Sequence, residues 1–274
     1  MHIQRGAWAE INLDAIAHNV QMAKANLKPT TKLCAVVKAD AYGHGAVRVA
    51  QEAARNGADF FAVALLQEGV KLREAGIETP ILVLGSMLPE VAEICVRYDI
   101  SHAVFDEERL YALNAAALKL HTKAKIHIKI DTGMHRIGVH VRDAGRFAKL
   151  AASLPGIYIE GVFSHFATAD ADDKQYAAYQ FARFQEALRL IEAEGVHIPI
   201  RHIANSAALT ELQEYQLDMV RQGITLYGLH PAHMIDCYKD FEPVMTVKTQ
   251  VAFVKTLPPG ETIGYGRTYT LTKP

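Results

Sequence analysis

Residues 33–45 read LCAVVKADAYGHG, an apolar run that ends on a lysine and two closely spaced glycines. Leu33, Cys34, Ala35, Val36 and Val37 have the composition of a fully buried strand. Lys38 follows directly, and a cation there costs desolvation energy unless it is paired, exposed at the strand's end or used for chemistry. Gly43 and Gly45 mark a tight turn in which backbone approaches something closely. A buried strand that delivers a lysine at its carboxyl end opens an α/β unit. The rest of the chain decides how many such units follow.

Seven more short apolar or β-branched runs recur: FFAVA (60–64), ILVLG (81–85), ISHAV (100–104), KIHIKI (125–130), YIEGVF (158–163), IPIRHI (198–203) and LDMVR (217–221). Helical patterns fill the gaps at 45–56, 66–75, 89–97, 106–119, 142–152, 173–194 and 206–214. In the first of these, Val47, Ala50 and Ala54 share a face and Gly57 stands where a helix stops. DEERLYALNAAALKL opens with acidic residues, as a helix start favours. Strands separated by such helices run parallel with right-handed crossovers. Eight units predict an α/β fold, a (β/α)8 TIM barrel, with an open doubly wound sheet as the alternative.

The texture changes after about residue 236. VMTVKTQVAFVKTL alternates polar and apolar residues, and a Pro258-Pro259-Gly260 turn leads into ETIGYGRTYTLTKP, which predicts two or three antiparallel strands. WAEINL (8–13) offers one more strand. The expected organisation is a barrel over 10–235 and an incomplete β-strand domain from 1–9 and 236–274, the chain stopping partway through that domain.

Bulk properties narrow the function classes. Lys and Arg number 29 against 30 Asp and Glu, a formal charge of −1, so no electrostatic case arises for nucleic acid or an anionic membrane as partner. Cys34, Cys95 and Cys237 form no CxxC pair or disulfide framework, which favours a reducing compartment. Neither a signal-peptide pattern nor a long apolar span is present, so a cytoplasmic protein is expected.

Active residues of such a barrel come from the carboxyl ends of its strands. That rule selects Lys38, Asp40, Tyr42 and His44 after the first strand, and Asp131, Thr132, His135 and Arg136 after the fifth. It also selects Ser164, His165 and Thr168 after the sixth, Asn205 and Ser206 after the seventh, and Arg221, Gln222, Gly223 and Ile224 at the eighth. Phosphate commonly sits on the last two of these loops; Asn205 and Ser206 open a helix there, and Gly223 lets backbone approach. A phosphate site paired with a strand-end lysine fits pyridoxal 5'-phosphate held as a Schiff base. Singly, each residue has a bland reading: a solvated rim lysine, a helix cap, a core histidine, a salt-bridge arginine. Their joint arrival at the ends of five strands is what argues for a site. No metal is expected, because the 13 histidines show no HxH or HExxH pattern and fall on different strands and faces.

AVVKADAYGHG, IKIDTGMHRIG, SHFATAD, ANSAA and MVRQGITLYG, in that order, resemble the motifs of bacterial alanine racemases, and the resemblance runs from WAEINLDAI to the end. It implies a pyridoxal-phosphate-dependent isomerase interconverting L- and D-alanine for peptidoglycan, working as a homodimer on a small amino acid. By that resemblance Lys38 would carry the cofactor and act as base on the D-alanine side. Tyr42, Ser206, Gly223 and Ile224 would hold the phosphate, His165 would pack beside the ring, and Asn205 would support the pocket. Arg136 would bond the cofactor's phenolic oxygen and take part in substrate binding; Lys129 matches a lysine often carbamylated in the family. Arg221 would meet the pyridine nitrogen, where a guanidinium donates a hydrogen bond without giving up its proton.

Racemisation needs acid–base groups on two faces of the reacting carbon. In the family the second is a tyrosine in an IGYADG-like motif of the partner subunit's β domain. IGYG at 263–266 matches a segment upstream of that motif, so Tyr265 is not expected to be that base, and the polypeptide is expected to bind cofactor yet racemise poorly. Three rivals stand beside this reading. They are a non-catalytic pyridoxal phosphate carrier, a related decarboxylase (whose acidic ring partner Arg221 replaces here), and an unrelated barrel with a structural Lys38.

Overall fold

The structure, a computed structural model, describes residues 6–231 and 237–274. Eight parallel strands form the barrel: β1 (Lys32–Val36), β2 (Phe60–Val63), β3 (Ile81–Val83), β4 (Ser101–Val104), β5 (Ala124–Asp131), β6 (Ile157–Phe163), β7 (Ile200–His202) and β8 (Met219–Gln222). They pair in chain order from β1 to β7, with β8 lying beside β1. Between β7 and β8 the circle is closed by the Asp218 N–H donating to Arg201 O at 3.0 Å and the Arg221 N–H to Ala204 O at 3.1 Å. Each expected strand is present, and the closed arrangement sets aside the open sheet.

Strands buried on both faces read as apolar runs; β2 and β3 do so throughout and β1 does after Lys32, while β4 is buried along its length yet carries Ser101 and His102. Cys34, Val36, Phe60, Ala62, Leu82, Ile200 and Met219 make one buried cluster from five of the strands. Outside them lie helices Ala46–Arg55, Leu66–Glu74, Ala92–Arg97, Glu107–Lys119, Ala144–Ser153, Gln175–Ala193 and Ser206–Glu211. Helix Glu107–Lys119 starts where Asp106 accepts from the Arg109 N–H at 3.0 Å, with Glu107 and Glu108 in its first turn. Helix Ala46–Arg55 buries Ala46, Val49, Ala50 and Ala53, so its core face is turned away from the expected Val47–Ala54 stripe.

An additional helix, Leu13–Ala25, precedes β1. The expected strand over 8–13 is in fact Ala7–Ile11, because Asn12 accepts from the N–H groups of Asp14 and Ala15 and starts that helix.

Two compact units result, Asn12–Val244 and the residues up to Ile11 with Met245–Pro274. The expected boundary at 235/236 lies outside the described residues. In the smaller unit Ala7–Ile11 pairs antiparallel with Met245–Thr249, and Thr262–Ile263 pairs with Tyr269–Thr270. The alternating stretch beyond Thr249 forms no strand: Val251, Phe253 and Val254 are 79%, 77% and 80% exposed, with no facing strand among the described residues.

Candidate active site

The chain leaving β1 takes an unusual path. Ala39, Asp40, Ala41 and Tyr42 have φ of 51°, 52°, 55° and 53°, a full turn of left-handed helix built without glycine. L-residues disfavour this by about 1–2 kcal/mol each, so the turn needs outside support. Helix Leu66–Glu74 supplies it. Glu68 accepts from the Ala39 N–H with one oxygen and from the N–H groups of Ala64 and Leu65 with the other, at 2.8 and 3.0 Å. Asp40 accepts from the Ala46 N–H at 3.0 Å and from Lys71 Nζ at 3.2 Å, and these two contacts hold its carboxyl below the usual range. Gly43 and Gly45, at φ of 86° and 88°, return the chain to helix Ala46–Arg55. The turn swings Lys38 out of the strand line, half-buried, with Nζ 5.7 Å from the centre of the Tyr42 ring. Lys38 is therefore at a strand end, facing a cavity.

Across the cavity, Asn205 caps helix Ser206–Glu211 by accepting from the Ala208 N–H at 3.0 Å. Ser206 is free of that duty: its Oγ accepts from the Gly223 N–H at 2.8 Å and the Thr225 N–H at 3.4 Å, joining the loops after β7 and β8. A Cβ placed on Gly223 would stand 3.6 Å from Tyr42 Oη and 3.7 Å from Ser206 Oγ. Two hydroxyls thus gather around one small lip, with the Gly223 and Thr225 N–H groups engaged by Ser206 Oγ behind it. Tyr227 steadies it, its ring tilted 50° against Tyr42 with centroids 5.1 Å apart and its hydroxyl donating to Val36 O at 2.9 Å.

Arg221 is 3% exposed, and its Nη2 donates to Ser164 O (2.8 Å), Ile203 O (3.1 Å) and His165 Nδ1 (2.9 Å). Burial lowers its pKa to about 10, so it stays charged at neutral pH. Burial, then the charges of Arg221, Arg136, Lys129 and Lys38, push His165 well below its ordinary pKa. A neutral His165 that accepts at Nδ1 carries its proton on Nε2. Lys129 is also 3% exposed, its Nζ donating to Ile130 O at 2.6 Å; burial and the nearby Arg221 and Arg136, against Asp131, bring it to about 7.

Lys38, Tyr42, Lys129, Arg136, His165, Asn205, Ser206, Arg221, Gly223 and Ile224 all line one cavity of about 500 Å³. Leu84, Gly85 and Ser86, after β3, line it too, although nothing in their residue types singles them out. His44 turns inward against Tyr227, 4.6 Å between ring centres. Asp131 and His135 pair with each other at 3.0 Å at the start of the loop that carries Arg136. The histidines are not all separate, contrary to expectation: His127 and His202 meet at 2.9 Å inside the barrel. Period-two alternation, which puts His127 on the same face as Lys129, is the signal that pointed there.

A barrel with a strand-end lysine, a hydroxyl-lined lip on its last two loops and a buried guanidinium between them fits a class, the pyridoxal-phosphate barrel enzymes. Residues 11–231 match the family described as alanine racemase, N-terminal domain, and residues 244–274 match alanine racemase, C-terminal domain. The chain is 46% identical to the alanine racemase of Desulfovibrio desulfuricans over 269 residues, 98% of this chain and 72% of that protein. Among solved structures, alanine racemase of Clostridium difficile superposes with a TM-score of 0.92 at 38% identity, over 99% of this chain and 72% of that one. Alanine racemase of Bacillus anthracis with bound L-Ala-P gives a TM-score of 0.90 at 36% identity, over 100% and 71%. The chain belongs to the alanine racemase family, enzymes that depend on pyridoxal 5'-phosphate. Among the described residues, no helix is long and apolar enough to cross a membrane.

Proposed function

We propose that this chain interconverts L-alanine and D-alanine with Lys38 as the base on the D-alanine side, supplying D-alanine for peptidoglycan as a cytoplasmic homodimer. The observation that carries the reading is that the Lys38 amine, the Ser206–Gly223 lip and Arg221 open on one cavity. Pyridoxal phosphate, when bound, draws electrons from the Cα of an attached amino acid and so makes its proton removable. The phosphate would rest on Tyr42, Ser206, Gly223 and Ile224, whose hydroxyls and N–H groups suit it. Arg221 holds its proton and only donates, so it keeps an acceptor facing it unprotonated. His165, kept neutral, adds no charge beside the ring. Arg136 offers a cation for a phenolic or carboxylate oxygen. Lys38 takes or returns the Cα proton on its face; the opposite face calls for a second acid–base group. In the family that group comes from the partner subunit's β domain, and Tyr265 is not expected to supply it, so exchange on the Lys38 face is expected to outpace full racemisation.

The test uses pyridoxal phosphate and borohydride. Label on Lys38, together with exchange of the Cα hydrogen of D-alanine in deuterated water, is the expected result. Label on another lysine, or none, removes the reading.

Lys129 gives a second expectation within this site. At a pKa of about 7 its amine is neutral in half the molecules at that pH, and a neutral amine attacks carbon dioxide. The N–C bond forms, one proton leaves to solvent, and a carbamate anion replaces a buried cation beside Arg136 and Arg221. Occupancy therefore rises as pH rises through 7 and falls below it. Carbon-13 NMR with labelled bicarbonate is expected to show one adduct with that pH dependence, missing in Lys129→Ala. An adduct that ignores pH between 6 and 8 would contradict it.

A further inference from the structure

From Arg221 a chain of buried and, at Glu160, part-buried polar side chains leads away from the cavity, toward Ser101 at the amino end of β4. Arg221 Nη1 donates to His202 Nδ1 at 2.7 Å. His202 Nε2 lies 2.9 Å from His127 Nδ1, and His127 Nε2 lies 3.0 Å from Glu160 Oε2, which also accepts from Ser101 Oγ. Both imidazoles are 0% exposed and Ser101 is 2% exposed. A barrel interior is ordinarily filled by branched apolar side chains. Four polar groups in a row there call for a reason.

The chemistry of the two ends fixes every proton between them. A guanidinium has no acceptor, so His202 Nδ1 accepts and its proton sits on Nε2. That proton points at His127 Nδ1, which must accept in turn, leaving the His127 proton on Nε2, aimed at Glu160. From the other end, an ionised carboxylate only accepts and demands the same order. Burial works against the Glu160 carboxylate, but hydrogen bonds from His127 and Ser101 outweigh it and keep the group ionised. Burial, with the charge of Arg221, holds His202 neutral, as the order requires.

The backbone is shaped around this chain. Ile126 faces Ile159 and His127 faces Gly161, so Glu160 is the extra residue of a β-bulge, a device that re-aims a side chain. At Gly161 a Cβ would stand 2.5 Å from His127 Nδ1 and 2.6 Å from Cε1, so only glycine leaves room for that ring. Phe163 stacks on His202 at 5.0 Å and 8°. Meanwhile every direct side-chain and carbonyl partner of Arg221 is uncharged: Ser164 O, Ile203 O, His165 and His202.

We propose that Glu160 is a positioning residue for Arg221, acting as its remote counter-ion through the ordered tautomers of His127 and His202. The carboxylate polarises both imidazoles in one direction. That strengthens the acceptor facing Arg221 Nη1 and anchors the guanidinium, so that its other donors stay oriented. What this does for the cofactor rests on the role proposed above for Arg221; the proton order does not.

Nitrogen-15 NMR of histidine-labelled protein, stripped of and loaded with pyridoxal phosphate, tests it. His127 and His202 are expected to be Nε2-protonated, neutral and single in form in both states. In Glu160→Gln the charge is lost, and because Ser101 and His127 share one oxygen of Glu160, the amide presents either its oxygen or its N–H₂ to both of them. Where N–H₂ faces His127, two donors meet either there or, with the rings reversed, at Arg221. The uncharged variant is therefore expected to give a mixture of forms and to lose the single-tautomer signature. Wild-type His202 protonated on Nδ1, or doubly protonated, overturns the proposal without any variant. A folded Glu160→Gln protein with both tautomers unchanged overturns it as well. Borohydride labelling of wild type in parallel separates the two readings: no label at Lys38 removes the proposed function and leaves the tautomer result standing.

Discussion

Lys38→Ala is expected to retain the fold and to lose the chemistry. A positioned acid–base group contributes about 10²- to 10⁴-fold, so Cα–H exchange of D-alanine should fall by that factor. Covalent retention of the cofactor after borohydride should vanish, since the amine that forms the link is gone. Stability should hardly change. Lys38 is half-buried, and its ammonium contact with the Tyr42 ring, at 5.7 Å, is of a kind worth about 0.5–1 kcal/mol. Deuterium exchange followed by NMR, beside a thermal melt, separates these effects. Exchange within a factor of ten of wild type would mean that another group holds the base role.

Gly228→Ala is expected to do the reverse, damaging the fold first. Gly228 ends the Ile224–Tyr227 turn at φ +68°, donating to Thr225 O at 3.1 Å. A methyl there would stand 1.9 Å from Glu242 O and 2.5 Å from Pro243 N, both backbone atoms. Neither segment yields easily: the Val244 N–H is tied to Tyr227 O at 3.2 Å, and Tyr227 and Val244 are each 1% exposed. The left-handed conformation costs alanine about 1–2 kcal/mol. Overpacking adds about 1–3 kcal/mol. At roughly 2–4 °C per kcal/mol for chains of a few hundred residues, the melting temperature should drop by roughly 4–20 °C. Because Tyr227 also supports Tyr42 and bonds Val36 O, cofactor affinity should fall with it. A melt within 2 °C of wild type would show that the crossing at Glu242 relaxes without cost.

The eight barrel strands were legible because apolar runs such as FFAVA and ILVLG leave little choice, and the cavity residues because they follow those runs. What the residues hid has a common cause. Ala39 to Tyr42 favour right-handed backbone by themselves, and contacts from elsewhere in the chain, Glu68 and Lys71 of a different helix among them, hold them otherwise. Glu160 reads as one polar residue in a strand until a one-residue shift against β5 is known. Alternation cannot reveal a bulge, since it assumes a constant period. Likewise, 251–254 are apolar and β-favouring as a strand should be, yet a strand also needs a neighbour to bond, which residue order alone does not supply.

The left-handed turn after Lys38 also bears on how the protein assembles. A segment that resists its own native conformation cannot nucleate, so it closes only after helix Leu66–Glu74 has docked and Glu68 can reach Ala39. Contacts made that late are absent from the folding transition state, and weakening them quickens unfolding while leaving the folding rate almost untouched. The lysine that awaits the cofactor is therefore expected to be among the last parts of the barrel to find its place and among the first to leave it.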